Sequence, residues 1–561
     1  MKPIYIYIII GNVIALVVQF LINALFLKKF RILSRIALSF LSSFLIYDLM
    51  YLVLDYFFFE IGLADFLYYF VVPSYAIYFL ISFRSFGQGD IGASKTINTQ
   101  KRNTNFAAGQ GHLELKTKQD AIKINNPFTH FLTLAGTRAG KTKSIGLNLL
   151  AYYLLNDFSG FIYDAKTFDY TRHAIYFKFL NRLKIPIFHI GFNDHNKTYR
   201  TNIVKPSVVK SYNFLAEIIR DIAIGLMEKD AKRDEWFASG LGVVQGVAVK
   251  MFFDYPHMCT LSHIALFVSK SDKKRLITFL ESRSESQIYA DEFLKTKNSL
   301  KTQESILSSA AQILKPIAAN KDVLYVLSGD DFNFDLMEPG KRKIIAVSND
   351  RRNASVLNGL IGSMVHVLSK NIEFGNTQKT FFFMDEGTTF KIPNFSEMLS
   401  VLGEYLVSFA FLTQSKSKIE EVYDRKVSNS LIANFNNKFL GRTNLPSDAR
   451  EYSDIFGSQE ISKVTKSKGS SSNERQSTHN KGESISSVDK NIFKSQDFMS
   501  LKQGEFICNF LDANYVSGKF NFQQAEIDTE LLDNVILEVN ANSDDVAQEN
   551  FNKLLQDIDI L

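Results

Sequence analysis

Cysteine is almost missing from this chain: its 561 residues hold two, Cys259 and Cys508, far apart in sequence. That excludes a disulfide framework and a cysteine-built metal site, and it suits a soluble part kept in a reducing compartment. The nine histidines show no ligand spacing, so they point to no metal centre either. Tryptophan occurs once, at Trp236, which reads as a core anchor rather than a base-stacking platform. Charge is scarce over roughly the first ninety residues, and the last forty or so are acidic, which leaves a basic middle. The formal net charge of +6 hides this layout; so modest an excess permits nucleic-acid binding without establishing it. Aromatic residues are plentiful, with 50 Phe and 23 Tyr, enough apolar material for two or three domains.

The charge-poor start has the dimensions of membrane spans. Residues 4–26, IYIYIIIGNVIALVVQFLINALF, carry no charge and suffice to cross about 30 Å of hydrocarbon. A secretory signal has a shorter apolar run and a small-residue cleavage site, so a retained span is expected. Lys28, Lys29, Arg31 and Arg35 follow and mark the cytoplasmic side. Further apolar stretches at 36–58 and 62–83 make three spans, with the N-terminus outside and everything after Arg84 in the cytoplasm. Asp48 falls within the second span, where a charge costs roughly 2.5–3.5 kcal/mol on insertion scales. Either it faces a bundle interior or the span register is displaced by a turn. Residues 85–127, polar and rich in Gly and Asn, read as a tether.

The stretch FLTLAGTRAGKTKSIGLNLL, Phe131 to Leu150, comes next. A short apolar run, a glycine loop and a helical pattern follow one another, the context that makes a phosphate-binding loop credible. The loop is Ala135-Gly136-Thr137-Arg138-Ala139-Gly140-Lys141-Thr142. Backbone N–H groups of Thr137 to Thr142 can cradle phosphate oxygens at a helix N-terminus. Lys141 would reach the β- and γ-phosphates of ATP, and the Thr142 hydroxyl would ligate Mg²⁺. Ala135 replaces the opening glycine of the pattern G-x-x-x-x-G-K-[ST], but it is small, and Gly136 and Gly140 still allow close approach.

Downstream, KTFFFMDEGTTF (379–390) is a bulky apolar run ending in Asp385-Glu386. Such a strand is buried on both faces and delivers its carboxylates to the carboxyl edge of a parallel sheet. Asp385 is then placed to hold Mg²⁺ through water, and Glu386 to orient or deprotonate the attacking water. The strand in VSFAFLTQS ends at Gln414, whose amide either senses the γ-phosphate or simply caps its strand. Arg442, in NNKFLGRTNLPSDAREYSDIFG, is either an arginine finger reaching a neighbouring subunit's nucleotide or half of an internal salt bridge. Asp164 and Lys166, ending GFIYDAK, either border the site or form a solvated loop pair.

Alternating strands and helices predict a mostly parallel α/β domain over 128–205 and 329–523. Residues 206–328 read as an all-helical subdomain, 462–489 as a mobile polar loop, GEFICNFLDANYVSGKFNF as a hairpin closing the sheet, and 524–561 as an acidic tail. That tail would repel DNA, so it is expected to be solvated or to bind an accessory protein.

With these stretches in view, essentially the whole chain resembles the TraG/TraD-like coupling ATPases of type IV secretion and conjugation systems. The resemblance is carried by the N-terminal spans, AGTRAGKT, YDAK, the insert near DEWFASG, MDEGTTFKIPNF, NKFLGRTNLPSDAREYSDIFG and, most specifically, TQSKSKIEEVYD. It implies a RecA-like P-loop fold and an inner-membrane ATPase assembling as a homo-hexamer. Such an ATPase receives relaxase–DNA complexes or protein effectors and hands them to the secretion channel. It implies that Lys141, Thr142, Asp385, Glu386 and Gln414 carry ATP binding and hydrolysis, and that the helical insert engages substrate or accessory factors. Two features depart from the family: three spans instead of the usual two with an inside N-terminus, and Gly387 where Asp-Glu-Phe is commoner. Two other readings compete. One is an FtsK-like membrane-anchored DNA translocase, which would end in a basic module; the other is a docking receptor that binds nucleotide without working as a motor. DNA contacts would be sequence-tolerant and salt-dependent.

Overall fold

The computed structural model describes residues 100–102, 112–228, 231–350, 352–473, 476–539 and 545–561; the three expected spans and Asp48 lie outside them. Among the described residues one helix, Glu235–Asp254, is long and apolar enough to cross a membrane, and 67% of its most apolar window is buried within the protein.

The larger unit, Ile97–Gln459 with Asn491–Leu561, is built on a ten-stranded sheet. Its strands are β1 (Gln100–Lys101), β4 (Phe131–Leu134), β5 (Ser159–Asp164), β6 (Ile187–Ile190), β7 (Ile344–Ser348), β8 (Thr380–Met384), β9 (Val407–Thr413), β10 (Asn437–Leu440), β13 (Glu505–Asn509) and β14 (Tyr515–Asn521). Their order is β1-β14-β13-β10-β4-β9-β8-β5-β7-β6. From β10 to β6 every pairing is parallel, while β13, β14 and β1 add an antiparallel edge, so the expected closing hairpin is present.

The parallel strands are apolar without alternation because both faces are covered. Phe382, Met384, Phe409 and Phe411 enter one core layer, and Phe381, Phe383, Ala410 and Leu412 the other. Phe382 stacks on Phe409 at 4.9 Å, and Phe381 on Tyr153 at 4.6 Å. Tyr153 lies on α1 (Leu147–Leu155), which with α2 (Asp169–Leu180) covers the second layer.

The crossover from β6 to β7 holds the helical subdomain. Its principal helices are α3 (Tyr212–Leu226), α4 (Glu235–Asp254), α5 (Leu261–Lys270), α6 (Lys273–Glu281), α7 (Leu300–Ile313) and α8 (Lys321–Ser328). Asp234, Thr260, Asp272 and Asn320 start four of them by accepting from backbone N–H groups of the first turn. After β7 comes α9 (Ala354–Lys370), which packs on α3 so closely that a Cβ on Gly225 would sit 2.7 Å from Gly359 Cα. Trp236 is not the expected core anchor: it sits in the first turn of α4, 46% exposed, ahead of the buried stretch that begins at Ser239.

Three expectations about polar segments need correction. The region read as a tether contains a hairpin, β2 (Leu113–Lys116) with β3 (Ala121–Ile124). Leu113, Leu115, Ile122 and Ile124 share the period-two face of that hairpin and are buried in the second core layer. Strands of four residues between polar neighbours leave little sequence signal. Residues 462–489, read as a loop, fall in a paired ladder, β11 (Ser458–Asn473) with β12 (Gln476–Asn491), which belongs to a separate unit. Scattered Thr, Val and Ile suit extended backbone even where the composition is polar. The acidic end, finally, is not a solvated tail. Its helix α12 (Val546–Ile560) lies on α5 and α8 and buries Leu554 and Ile558, because its apolar residues recur at helical spacing while Asp559 stays outside.

Candidate nucleotide-binding site

Three adjacent strands end together. The partners Leu134–Thr413 and Met384–Phe411 bring the loop after β4, the acids after β8 and Gln414 after β9 to one carboxyl edge. Strand β9, between the loop strand and the acid strand, is what carries Gln414 to the middle.

Ala135 is compatible with this loop because its backbone keeps an ordinary φ, so its Cβ brings no strain. The Cβ is accommodated by Gly441 on the next strand, where a side-chain carbon would come 2.7 Å from it. The Ala135 N–H donates to Thr413 O at 3.1 Å, and the Gly136 N–H to Arg442 O at 2.9 Å. Gly136 is thus committed to β10, and the cradle opens from Thr137 onward. Arg138 (φ 63°) and Gly140 (φ 99°) turn the backbone through the left-handed region, the second at a position where a Cβ would lie 2.8 Å from Gly504 N. That Gly504 N–H donates to Ala139 O at 2.9 Å, so the turn before β13 braces the loop. Lys141 is buried, and the wide helical turn Lys141–Gly146 leads into α1.

Asp385 is fully buried and neither carboxylate oxygen has a hydrogen-bond donor. Burial raises its pKa from 3.8 to about 6, with Lys141 opposing and Glu386 reinforcing the rise. An ionised carboxylate with no donor is costly unless a cation or its water shell meets it. The oxygen chemistry and the position beside the loop fit Mg²⁺. Glu386 takes a left-handed conformation (φ 49°) and its carboxylate forms an ion pair with Lys141. Gly387 has a physical reason: the Phe411 ring fills its side-chain space, 2.4 Å from where a Cβ would be, so a larger residue here would have to displace that ring. Thr388 and Thr413 join hydroxyls at 2.7 Å and tie the acid loop to β9 just before Gln414, which is half-buried.

Arg442 is exposed and forms no ion pair among the described residues. Asp164 is no solvated pair with Lys166. It is fully buried, accepts from the backbone N–H groups of Lys166 and Thr171 and from the Thr171 hydroxyl, and is pushed by burial to about 8. It fixes the turn from β5 into α2. The stretch QSKSKIEEVYD is likewise structural where it leaves Gln414. Ser415 caps α10 (Lys416–Asn434), Ser417 donates to Asp448 at 2.6 Å, Lys416 pairs with Glu451 at 2.7 Å, and Tyr423 OH accepts from Ile392 N–H. These contacts lock α10 to α11 (Pro446–Phe456) and to the segment after the acids. Sequence reading missed Gly441, Gly504 and Phe411; only the glycine beside Arg442 left a trace in NKFLGRT.

The fold defines an α/β protein with a large, mostly parallel sheet, a glycine loop between β4 and α1, and an all-helical crossover. Solved structures of the conjugative coupling protein TrwB share this fold. An unbound form matches with a TM-score of 0.58 at 14% identity, over 79% of this chain and 96% of the other. A form with ADP and Mg²⁺ matches with 0.57 at 15%, over 79% and 98%. A form with a non-hydrolysable ATP analogue matches with 0.55 at 15%, over 74% and 89%. Residues 379–503 match the family described as the TraM recognition site of TraD and TraG. The resemblance to TraG/TraD-like type IV coupling proteins is borne out by these two findings together. No curated protein matches the sequence.

Proposed function

We propose that this chain is the membrane-anchored coupling ATPase of a type IV secretion or conjugation system. It recruits relaxase–DNA complexes, protein substrates or both, and uses ATP hydrolysis to hand them to the secretion channel as a homo-hexamer in the inner membrane. The observation that carries the reading is the orphaned, buried Asp385 beside Lys141, Glu386 and Gln414 at one sheet edge. When bound, Mg²⁺·ATP supplies the phosphoanhydride whose cleavage drives the motion. The residues Gly136, Thr137, Arg138, Ala139 and Gly140 shape the phosphate cradle, although the Gly136 amide itself serves β10. Lys141 neutralises phosphate charge, and Thr142 and Asp385 hold the cation. Glu386, once released from Lys141, orients and accepts a proton from water. Gln414 senses the γ-phosphate position from β9, and the unpaired Arg442 acts on a neighbouring subunit's site.

The matched TraG/TraD region supports a coupling role over an FtsK-like translocase. The deciding experiment measures transfer of DNA and of protein cargo by cells carrying the wild type, Lys141→Ala or Glu386→Gln in place of the native copy. Loss of one cargo at unchanged membrane levels is expected. Normal transfer by both variants would leave a docking receptor as the better reading.

A further inference from the structure

The helix α12 lies in a groove with an apolar floor and a rim on which basic and donor groups predominate. Its floor takes Leu554 and Ile558, each 2% exposed, with Phe551 and Leu555 along the walls. Among the described residues, the polar contacts across the seam have the subdomain as the basic or donor side and α12 as the acidic or acceptor side. Lys321 donates to Gln548 Oε1 at 2.5 Å and holds its ammonium 5.6 Å from the Phe551 ring. The Ser328 hydroxyl donates to Asn550 Oδ1 at 3.1 Å. His263 Nε2 faces Asp557 at 3.4 Å. Arg275, stacked on Phe267, donates to Ile558 O and reaches Asp559 at 4.0 Å. The groove also continues past α12 as a cleft of about 440 Å³ next to Leu561, where the basic Lys250, Lys274 and Arg275 outnumber one acid, Asp272, beside Tyr255 and Phe279.

We infer that this groove on α5, α6 and α8 is a receptor for an acidic amphipathic helix of a protein partner, and that α12 occupies it as an internal competitor. The apolar floor selects an aliphatic helix face, which a nucleic-acid backbone does not offer, and the basic rim selects acids on the flanks. Displacement is feasible because α12 fully buries two side chains only and leaves Ile560 76% exposed, and a helix of this length is marginal alone. Covalent attachment gives α12 a high effective concentration, so a partner must bind more tightly or extend into the empty cleft. The inference stands apart from nucleotide hydrolysis: groove and phosphate loop are separate sites.

The test uses the full chain in detergent and a fluorescein-labelled peptide of residues 545–561. In one variant Leu554→Asp and Ile558→Asp release the internal helix; in a second, Asp557→Arg and Asp559→Arg release it through charge alone. Both are checked for retained folding by their melting curves. The peptide is expected to bind either variant at least tenfold more tightly than the unaltered chain, and Arg275→Glu added to the variant is expected to abolish binding. Equal binding to released and unaltered chains, or none to either folded variant, overturns the inference. So does a released groove that takes a single-stranded oligonucleotide in preference to the peptide.

Discussion

Lys141 and Glu386, 245 residues apart in sequence, form an ion pair beside the glycine loop, so each charge is neutralised by the other in the structure. On the proposed function, bound nucleotide parts them: its phosphates would take the ammonium and free the carboxylate for water. Glu386→Gln should therefore bind nucleotide at least as tightly as the wild type while turnover falls roughly 10²- to 10⁴-fold, the usual worth of a positioned base. Lys141→Ala should lose binding itself. Titration with a fluorescent ATP analogue, paired with phosphate release, separates the two; wild-type turnover by Glu386→Gln would remove that residue from the chemistry.

Asp385 makes the opposite trade. A carboxyl held at about 6 rather than 3.8 costs on the order of 3 kcal/mol when ionised in the fold. Its folded pKa lies above the unfolded one, so this contribution erodes stability as pH rises from about 4 through 6 and stays unfavourable above. Asp385→Asn should raise the melting temperature of the nucleotide-free protein at pH 7.5 and flatten that part of the pH profile. It should also abolish the extra stabilisation given by Mg²⁺ with a non-hydrolysable ATP analogue. An unchanged Mg²⁺-dependent shift would assign the cation to other ligands.

The contact between Ala135 and Gly441 is testable as a pair. Gly441→Ala places a carbon 2.7 Å from the Ala135 Cβ and 2.9 Å from the Phe506 ring, and should destabilise by about 1–3 kcal/mol, as overpacking generally does. Adding Ala135→Gly should recover part of the loss, since the Phe506 ring can rotate but the Ala135 Cβ cannot. Urea denaturation midpoints of the four chains give the coupling; strict additivity would show that the two strands do not sense each other.

Gln414 and Arg442 should separate by the subunit in which they act. Gln414→Ala is expected to lower kcat with little change in KM. Arg442→Ala is expected to lower kcat as well, but mixing it with Glu386→Gln subunits should restore part of the activity, because a mixed interface can carry one intact residue from each. A mixture no better than the average of its components would place Arg442 in its own subunit's site or outside catalysis.

Much of the sheet was legible because parallel strands buried on both faces spell themselves as apolar runs, FFFM in β8 being the plainest. What stayed hidden depends on partners distant in sequence. The β2–β3 hairpin is anchored by bridges from Thr117 to Phe522 and from Ile124 to Ala513, four hundred residues or so downstream, and nothing local announces them. Trp236 was misplaced because the helical period of α4 says which residues share a face but not how far the first turn projects beyond its neighbours. The site divides in the same way. The loop, Asp385-Glu386 and Gln414 follow from residue type at strand ends, whereas Gly441, Gly504 and Phe411 matter only through atoms that meet across strands.

The helical subdomain is spliced into the crossover between β6 and β7, at the outer edge of the sheet, with β5 separating that crossover from the acid strand β8. Strand registers that align Lys141, Asp385 and Gln414 therefore do not pass through it. It meets the sheet domain along several tight seams: Gly225 of α3 and Gly359 of α9 lie backbone to backbone, the Thr201 N–H donates to Val326 O at 2.8 Å, and the Asn202 amide donates to Cys259 O at 2.9 Å. Substitutions confined to the subdomain's helices away from these seams are therefore free to reshape its outer surface while the strand ends that carry Lys141, Asp385 and Gln414 keep their register.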